Sequence, residues 1–162
     1  MRIHPPRKCG DVYISPFDKD VSLLMLARQW AEMSSKDPNT AVGAVVYHLP
    51  THAMFMGYNG FPQSVPDYRK HWDCRDHGNP LSKYYRVAHA ETNAIRRAHA
   101  VMGEDLSMCT LYVTAPPCVE CMRAHIRPSL IKTVVFTGGP VSSIVVDIAA
   151  EARVSMKEVS GV

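Results

Sequence analysis

His89-Ala90-Glu91 is followed downstream by Pro117-Cys118-Val119-Glu120-Cys121. The two segments offer one imidazole, two thiolates and a carboxylate that need not be a ligand. Three nitrogen and sulfur ligands leave one position of a tetrahedral zinc open, and an open position separates a catalytic zinc from a structural one. Water activated at such a position is a nucleophile near neutral pH. His89, Cys118 and Cys121 are therefore the candidate ligands of a Zn²⁺ ion, and Glu91 is the candidate catalytic residue. Its role would be proton transfer, from the water to the group being hydrolysed. A closed structural zinc would need a fourth ligand, for which Cys109, His99 or His125 could serve. Each half of the pattern is common alone. The proline before the first cysteine, the order of the segments and their strand–helix context join them.

The fold must bring these side chains together. Asp18 is a candidate N-cap for a helix over residues 18–34, whose Leu23, Leu24, Ala27, Trp30 and Ala31 recur at helical spacing. Pro38 prevents its continuation. Residues 42–47 and 53–58 are short apolar runs close enough to form an antiparallel hairpin. Residues 59–86 show no clear periodicity and read as a long loop insertion, a feature that is often functional. Helical composition returns over 88–101. A strand is expected at 109–114, a helix at 118–126 with Pro117 suited to its first turn, a strand at 133–137, a helix at 142–152 and an edge strand at 154–159. Residues 1–15 read as an irregular arm.

This order predicts one α/β domain over residues 1–162, a three-layer α/β/α arrangement with a five-stranded mixed sheet. Its β-α-β-α-β tail implies parallel pairing through right-handed crossovers. The two helix starts that carry the ligands then meet at one edge of the sheet, where ligands of open α/β sheets collect. Helix N-termini also favour thiolates.

The chain has 162 residues, 46% of them apolar and 20% charged, with a net charge of +3. Such modest charge, without a block of like residues, argues against a nucleic-acid partner. No apolar run approaches the roughly 20 residues that cross a bilayer, so no membrane association is expected. Five cysteines without a secretory signal favour metal binding over disulfides and place the chain in a reducing cytoplasm.

Four segments carry a family resemblance: Ser35-Lys36-Asp37-Pro38-Asn39-Thr40-Ala41-Val42-Gly43-Ala44, Gly57-Tyr58-Asn59-Gly60-Phe61-Pro62, His89-Ala90-Glu91-Thr92-Asn93-Ala94-Ile95 and Pro117-Cys118-Val119-Glu120-Cys121. Together, over residues 20–137, they resemble the deoxycytidylate branch of the cytidine deaminase superfamily. The H-x-E and P-C-x-x-C pair marks zinc nucleobase deaminases as a group. The resemblance implies hydrolysis of dCMP to dUMP and ammonia, feeding thymidylate synthesis. It implies that Asn59 reaches the sugar, Val42 lines the base pocket and the Ala90 backbone contacts the base. Lys83, Tyr85, Arg86, Arg96, Arg97 and Arg123 are candidates for the substrate phosphate. It further implies a homohexamer activated by dCTP and inhibited by dTTP, each with Mg²⁺. Lys36, Asn39, Gly57, Tyr58, Gly60 and Phe61 mark where that effector would sit. His71, Cys74 and His77, three apart in the insertion, could hold a second zinc if a fourth ligand joined them. The competing readings are a tRNA adenosine or free-nucleoside deaminase, or a zinc-stabilised binding module without catalysis.

Overall fold

The structure, a computed structural model, describes residues 18–162. Cys9 and the arm expected over residues 1–15 lie outside them. Helix α1 (Lys19–Ser34) starts as its sequence predicts, with the Asp18 carboxylate accepting from the Asp20 amide at 2.8 Å. Strands β1 (Gly43–His48) and β2 (Met54–Tyr58) form the expected antiparallel hairpin. Helix α3 (Ala90–Met102) leads to β3 (Cys109–Val113), and β4 (Thr133–Phe136), α5 (Ser143–Glu151) and β5 (Ser155–Glu158) complete the chain. The sheet order is β2-β1-β3-β4-β5. β1 pairs antiparallel with β3, whereas β3–β4 and β4–β5 are parallel, so the mixed sheet and its parallel tail are as expected.

Strand alternation divides the core in two. Ala44, Val46, Leu111, Val113, Val134 and Phe136 face α3, α5 and the segment after Cys118. The intervening Val45, Tyr47, Tyr112 and Val135 face α1, which contributes Leu23, Leu24 and Ala27. Side chains of a strand point alternately to opposite faces, so a sheet covered on both faces reads as continuous apolar runs.

The structure corrects two local expectations. The insertion over residues 59–86 is not wholly a loop. It contains helix α2 (Arg69–Asp73) and a 3₁₀ turn (Lys83–Tyr85). Trp72 of α2 is buried and stacks on Phe61, with ring centroids 4.0 Å apart and planes 3° from parallel. A helix of five residues is too short to leave a periodic signature. The helix expected over 118–126 is instead a single α turn, α4 (Val119–Cys121), continued by a π turn over Met122–Ile126. Pro117 precedes the N-cap Cys118 rather than occupying the first turn.

Candidate active site

His89 is the N-cap of α3 and Cys118 the N-cap of α4. The side chain of His89 makes no capping hydrogen bond, which leaves its ring directed elsewhere. The Cys118 sulfur accepts from the Cys121 amide at 3.4 Å. His89 Nδ1 lies 3.5 Å from Cys118 Sγ and 3.3 Å from Cys121 Sγ. A tetrahedral zinc with ordinary Zn–N and Zn–S bonds separates such atoms by about 3.6 Å. The three residues thus fit a zinc ion. Among the described residues, these three are the one such cluster of His, Cys or acidic side chains with donor atoms within 4.8 Å of one another. Cys109, His99, His125 and Glu91 stand outside it, as an open coordination position requires.

The Cys118 thiol is held far below its ordinary value by a hydrogen bond from the Cys121 thiol and by His89. Cys121 is pushed up by the same bond and by burial. Hydrogen bonding to Cys118 raises His89. Glu91, in the first turn of α3, is 4% exposed. Burial raises its carboxyl above the ordinary 4.5, which suits a group that must accept and release a proton near neutral pH.

These residues open on a cavity of about 280 Å³ whose wall includes Val42, Asn59, Ala90, Glu91, His89 and Cys118. Sequence reasoning therefore selected six residues that the fold gathers around one space. Asn59 also bonds within the protein. Its Oδ1 accepts from the Val42 amide and the Ser35 hydroxyl, each at 2.9 Å. Its Nδ2 donates to Thr40 O at 2.8 Å and to Asp37 Oδ2 at 3.4 Å. Asn59 thus ties the 35–42 loop in place while its side chain lines the cavity.

Asp37, Arg75 and Tyr84 also line the cavity and were missed as site residues. Asp37 lies in the segment Ser35–Ala44, whose pattern assigns it no role, and Arg75 and Tyr84 lie in the insertion, which has no periodicity to single them out. Of the candidate phosphate donors, Lys83 alone lines the cavity. Arg86 donates to Pro80 O and Ser82 O, and the Tyr85 hydroxyl donates to His77 O. Arg97 donates to Met56 O, and Arg123 pairs with Glu120 at 2.6 Å.

Lys36, Tyr58, Gly60 and Phe61 line a second, larger cavity of about 840 Å³ together with Arg96 and Arg97. Gly57 does not belong to it. A Cβ at Gly57 would lie 2.3 Å from Ala90 O and 2.4 Å from the Ala94 amide, so this glycine lets β2 approach α3. Asn39 lines neither cavity; its amide donates to Asp37 Oδ1 at 3.0 Å. His71, Cys74 and His77 do not converge. His71 packs against Phe61 and Tyr68, and His77 stacks on Tyr84.

Residues 18–137 match the cytidine and deoxycytidylate deaminase zinc-binding region. A probable deoxycytidylate deaminase of Caenorhabditis elegans is 40% identical over 104 residues, covering 64% of this chain and 50% of that protein. The deoxycytidylate deaminase of Homo sapiens is 36% identical over 102 residues, covering 63% and 55%. The chain thus spans about half the length of the curated relatives it matches. Among solved structures, a dCMP deaminase from the cyanophage S-TIM5, in complex with dCMP and dUMP, superposes with a TM-score of 0.63 at 20% identity, covering 88% of this chain and 99% of that one. That likeness is one of fold.

Proposed function

We propose that this chain, which belongs to the cytidine and deoxycytidylate deaminase family, hydrolyses dCMP to dUMP and ammonia. The observation that carries this reading is the convergence of His89, Cys118 and Cys121 beside buried Glu91, at a cavity that His89, Cys118 and Glu91 line. A bound Zn²⁺ would supply Lewis-acid activation of water there. Glu91 takes a proton from the attacking water and delivers it to the ring nitrogen of the base; it then takes the proton of the hydroxyl now on the ring carbon and passes it to the amine, which leaves as ammonia as the carbonyl forms. Val42 and Ala90 form apolar wall against the base.

The larger cavity is read as the seat of a regulatory dCTP or dTTP with its Mg²⁺. Lys36, Arg96 and Arg97 supply cations for phosphates there, and Tyr58 and Phe61 supply aromatic faces. A homohexamer and a cytoplasmic location accompany this reading. No helix among the described residues is long and apolar enough to cross a membrane, and thiolate ligands stay available in a reducing compartment.

The test is ammonia release from deoxycytidine, dCMP and dCTP by the zinc-loaded protein, with and without dCTP or dTTP as effectors. dCMP is expected to be the best substrate, with dCTP raising and dTTP lowering the rate at subsaturating dCMP. Equal rates on all three substrates would refute the dCMP assignment, and indifference to both triphosphates would refute the regulatory one.

A further inference from the structure

We infer that Arg75 is the specificity-determining residue that selects a phosphorylated substrate. The inference rests on the dCMP reading above and assigns its phosphate to a residue. Charge balance in the 280 Å³ cavity carries it. Three basic side chains line this space: His89, Lys83 and Arg75. His89 is directed at the two sulfurs and belongs to the metal cluster. Lys83 is only 4% exposed, and its ammonium pairs with Asp37, whose side chain is 1% exposed. Asp37 is in turn fully engaged, by the Asn39 amide on one oxygen and by Lys83 and Asn59 on the other. A buried pair so closely matched presents little net charge to a ligand. Separating it would strand two charges away from water.

Arg75 is different. It is exposed, and its guanidinium makes no hydrogen bond or ion pair with any described residue. The backbone holds it at the cavity even so. The Lys83 amide donates to the carbonyl of the preceding residue, Cys74, at 3.0 Å. The 3₁₀ turn is therefore tied to the segment that carries Arg75, and the Lys83–Asp37 pair ties the same turn to the 35–42 loop. The insertion thus frames the cavity wall and brings to it one cation without a partner among the described residues. A guanidinium is a planar fork that matches two phosphate oxygens, and it stays charged at any physiological pH. A phosphate held by Arg75 leaves the base end of a nucleotide to extend toward Glu91 and the ligand cluster. An uncharged nucleoside gains nothing from this contact.

The experiment compares kcat/KM on dCMP and on deoxycytidine for the parent, Arg75→Gln, Arg75→Lys and Arg127→Gln, and measures dUMP binding by calorimetry. Arg127 is an exposed arginine outside the cavity and serves as the control. In Arg75→Gln the dCMP-to-deoxycytidine ratio is expected to fall about 10- to 100-fold, the range for losing a charge-assisted contact. The loss appears mainly in KM, dUMP binds more weakly by a similar factor, and Arg75→Lys recovers part of both. Arg127→Gln keeps the parental ratio. If Arg75→Gln also keeps it, whether or not both rates drop, the inference is overturned and dCMP deamination still stands. If the parent itself shows no preference for dCMP over deoxycytidine, the dCMP reading falls and the Arg75 assignment falls with it.

Discussion

At the level of single residues, the site combines two side chains at helix N-caps with a third one turn later. Histidine and cysteine are poor capping residues compared with Ser, Thr, Asp or Asn. The chain nevertheless places His89 and Cys118 at caps, and His89 leaves its capping role unfilled. That choice costs local helix stability and makes sense as ligand placement. Glu91, two residues after His89, is buried beside the cluster without joining it. The two roles separate by substitution. Cys121→Ser is expected to lower the zinc content per purified chain at least about tenfold, since even changes outside the ligand shell cost 10- to 100-fold in affinity. Glu91→Gln keeps the shape of the side chain and is expected to retain zinc and the melting temperature while ammonia release falls by orders of magnitude, about 10²–10⁴-fold for loss of proton transfer. Atomic absorption and a steady-state assay on the same preparations decide it. Retained activity in Glu91→Gln would remove Glu91 from the mechanism. The ligands and Glu91 were legible because their chemistry depends on short sequence spacings. The tie from Asn59 to the 35–42 loop was not, because its four partners depend on where that loop folds back, and no spacing encodes that.

At the level of elements, the site depends on how closely β2 lies against α3, the helix that begins at Ala90, next to His89. Gly57 permits this approach. A methyl group there would overlap Ala90 O and the Ala94 amide, both backbone atoms that cannot swing aside. Gly57→Ala is expected to destabilise the fold by about 2–3 kcal/mol, as overpacking of a core does. For a chain of this size that is a drop in melting temperature of about 5–10 °C. Gly78→Ala is the control. Its Cβ would meet only the Asp76 carboxylate, at an ordinary 3.4 Å, and a change within about 0.5 kcal/mol is expected for such a surface position. Equal melting temperatures for the two variants would mean that β2 and α3 can separate without cost. The long elements were readable because their apolar spacing extends over several turns or alternations. Helix α2 and the π turn were not. The first is five residues long and held by the stacking of Trp72 on Phe61, and the second is a backbone irregularity among buried Met122 and Ile126.

At the level of the whole molecule, the sheet is covered unequally. Elements α3, α4 and α5 pack on one face, and α1 supplies the helical cover of the other core. The N-terminal end of α1 is fastened to two strands through one carboxylate. The buried Tyr112 hydroxyl of β3 donates to Asp20 Oδ1 at 2.9 Å, and Lys157 of β5 donates to Asp20 Oδ2 at 2.6 Å. Residues 92 and 137 positions away in sequence thus meet at Asp20. Sequence patterning located the helix and both strands but could not show this link, which exists only once β3, β4 and β5 have paired. The link has a pH signature. Burial, followed by the hydrogen bond to Asp20, raises the Tyr112 phenol well above its ordinary 10.0. Below that value the phenol is protonated in both folded and unfolded chains, and its contribution is fully present. As the pH rises further, the unfolded chain ionises first while the native chain keeps its proton, so stability falls with increasing pH. The parent is therefore expected to lead Tyr112→Phe in guanidinium midpoint near pH 8, by about 1 kcal/mol for the lost hydrogen bond. That lead should shrink as the pH climbs past 10. Stability curves that stay parallel from pH 8 to 11 would show that the phenol ionises equally easily in the folded and unfolded chains, and that the fastening at Asp20 does not hold its proton.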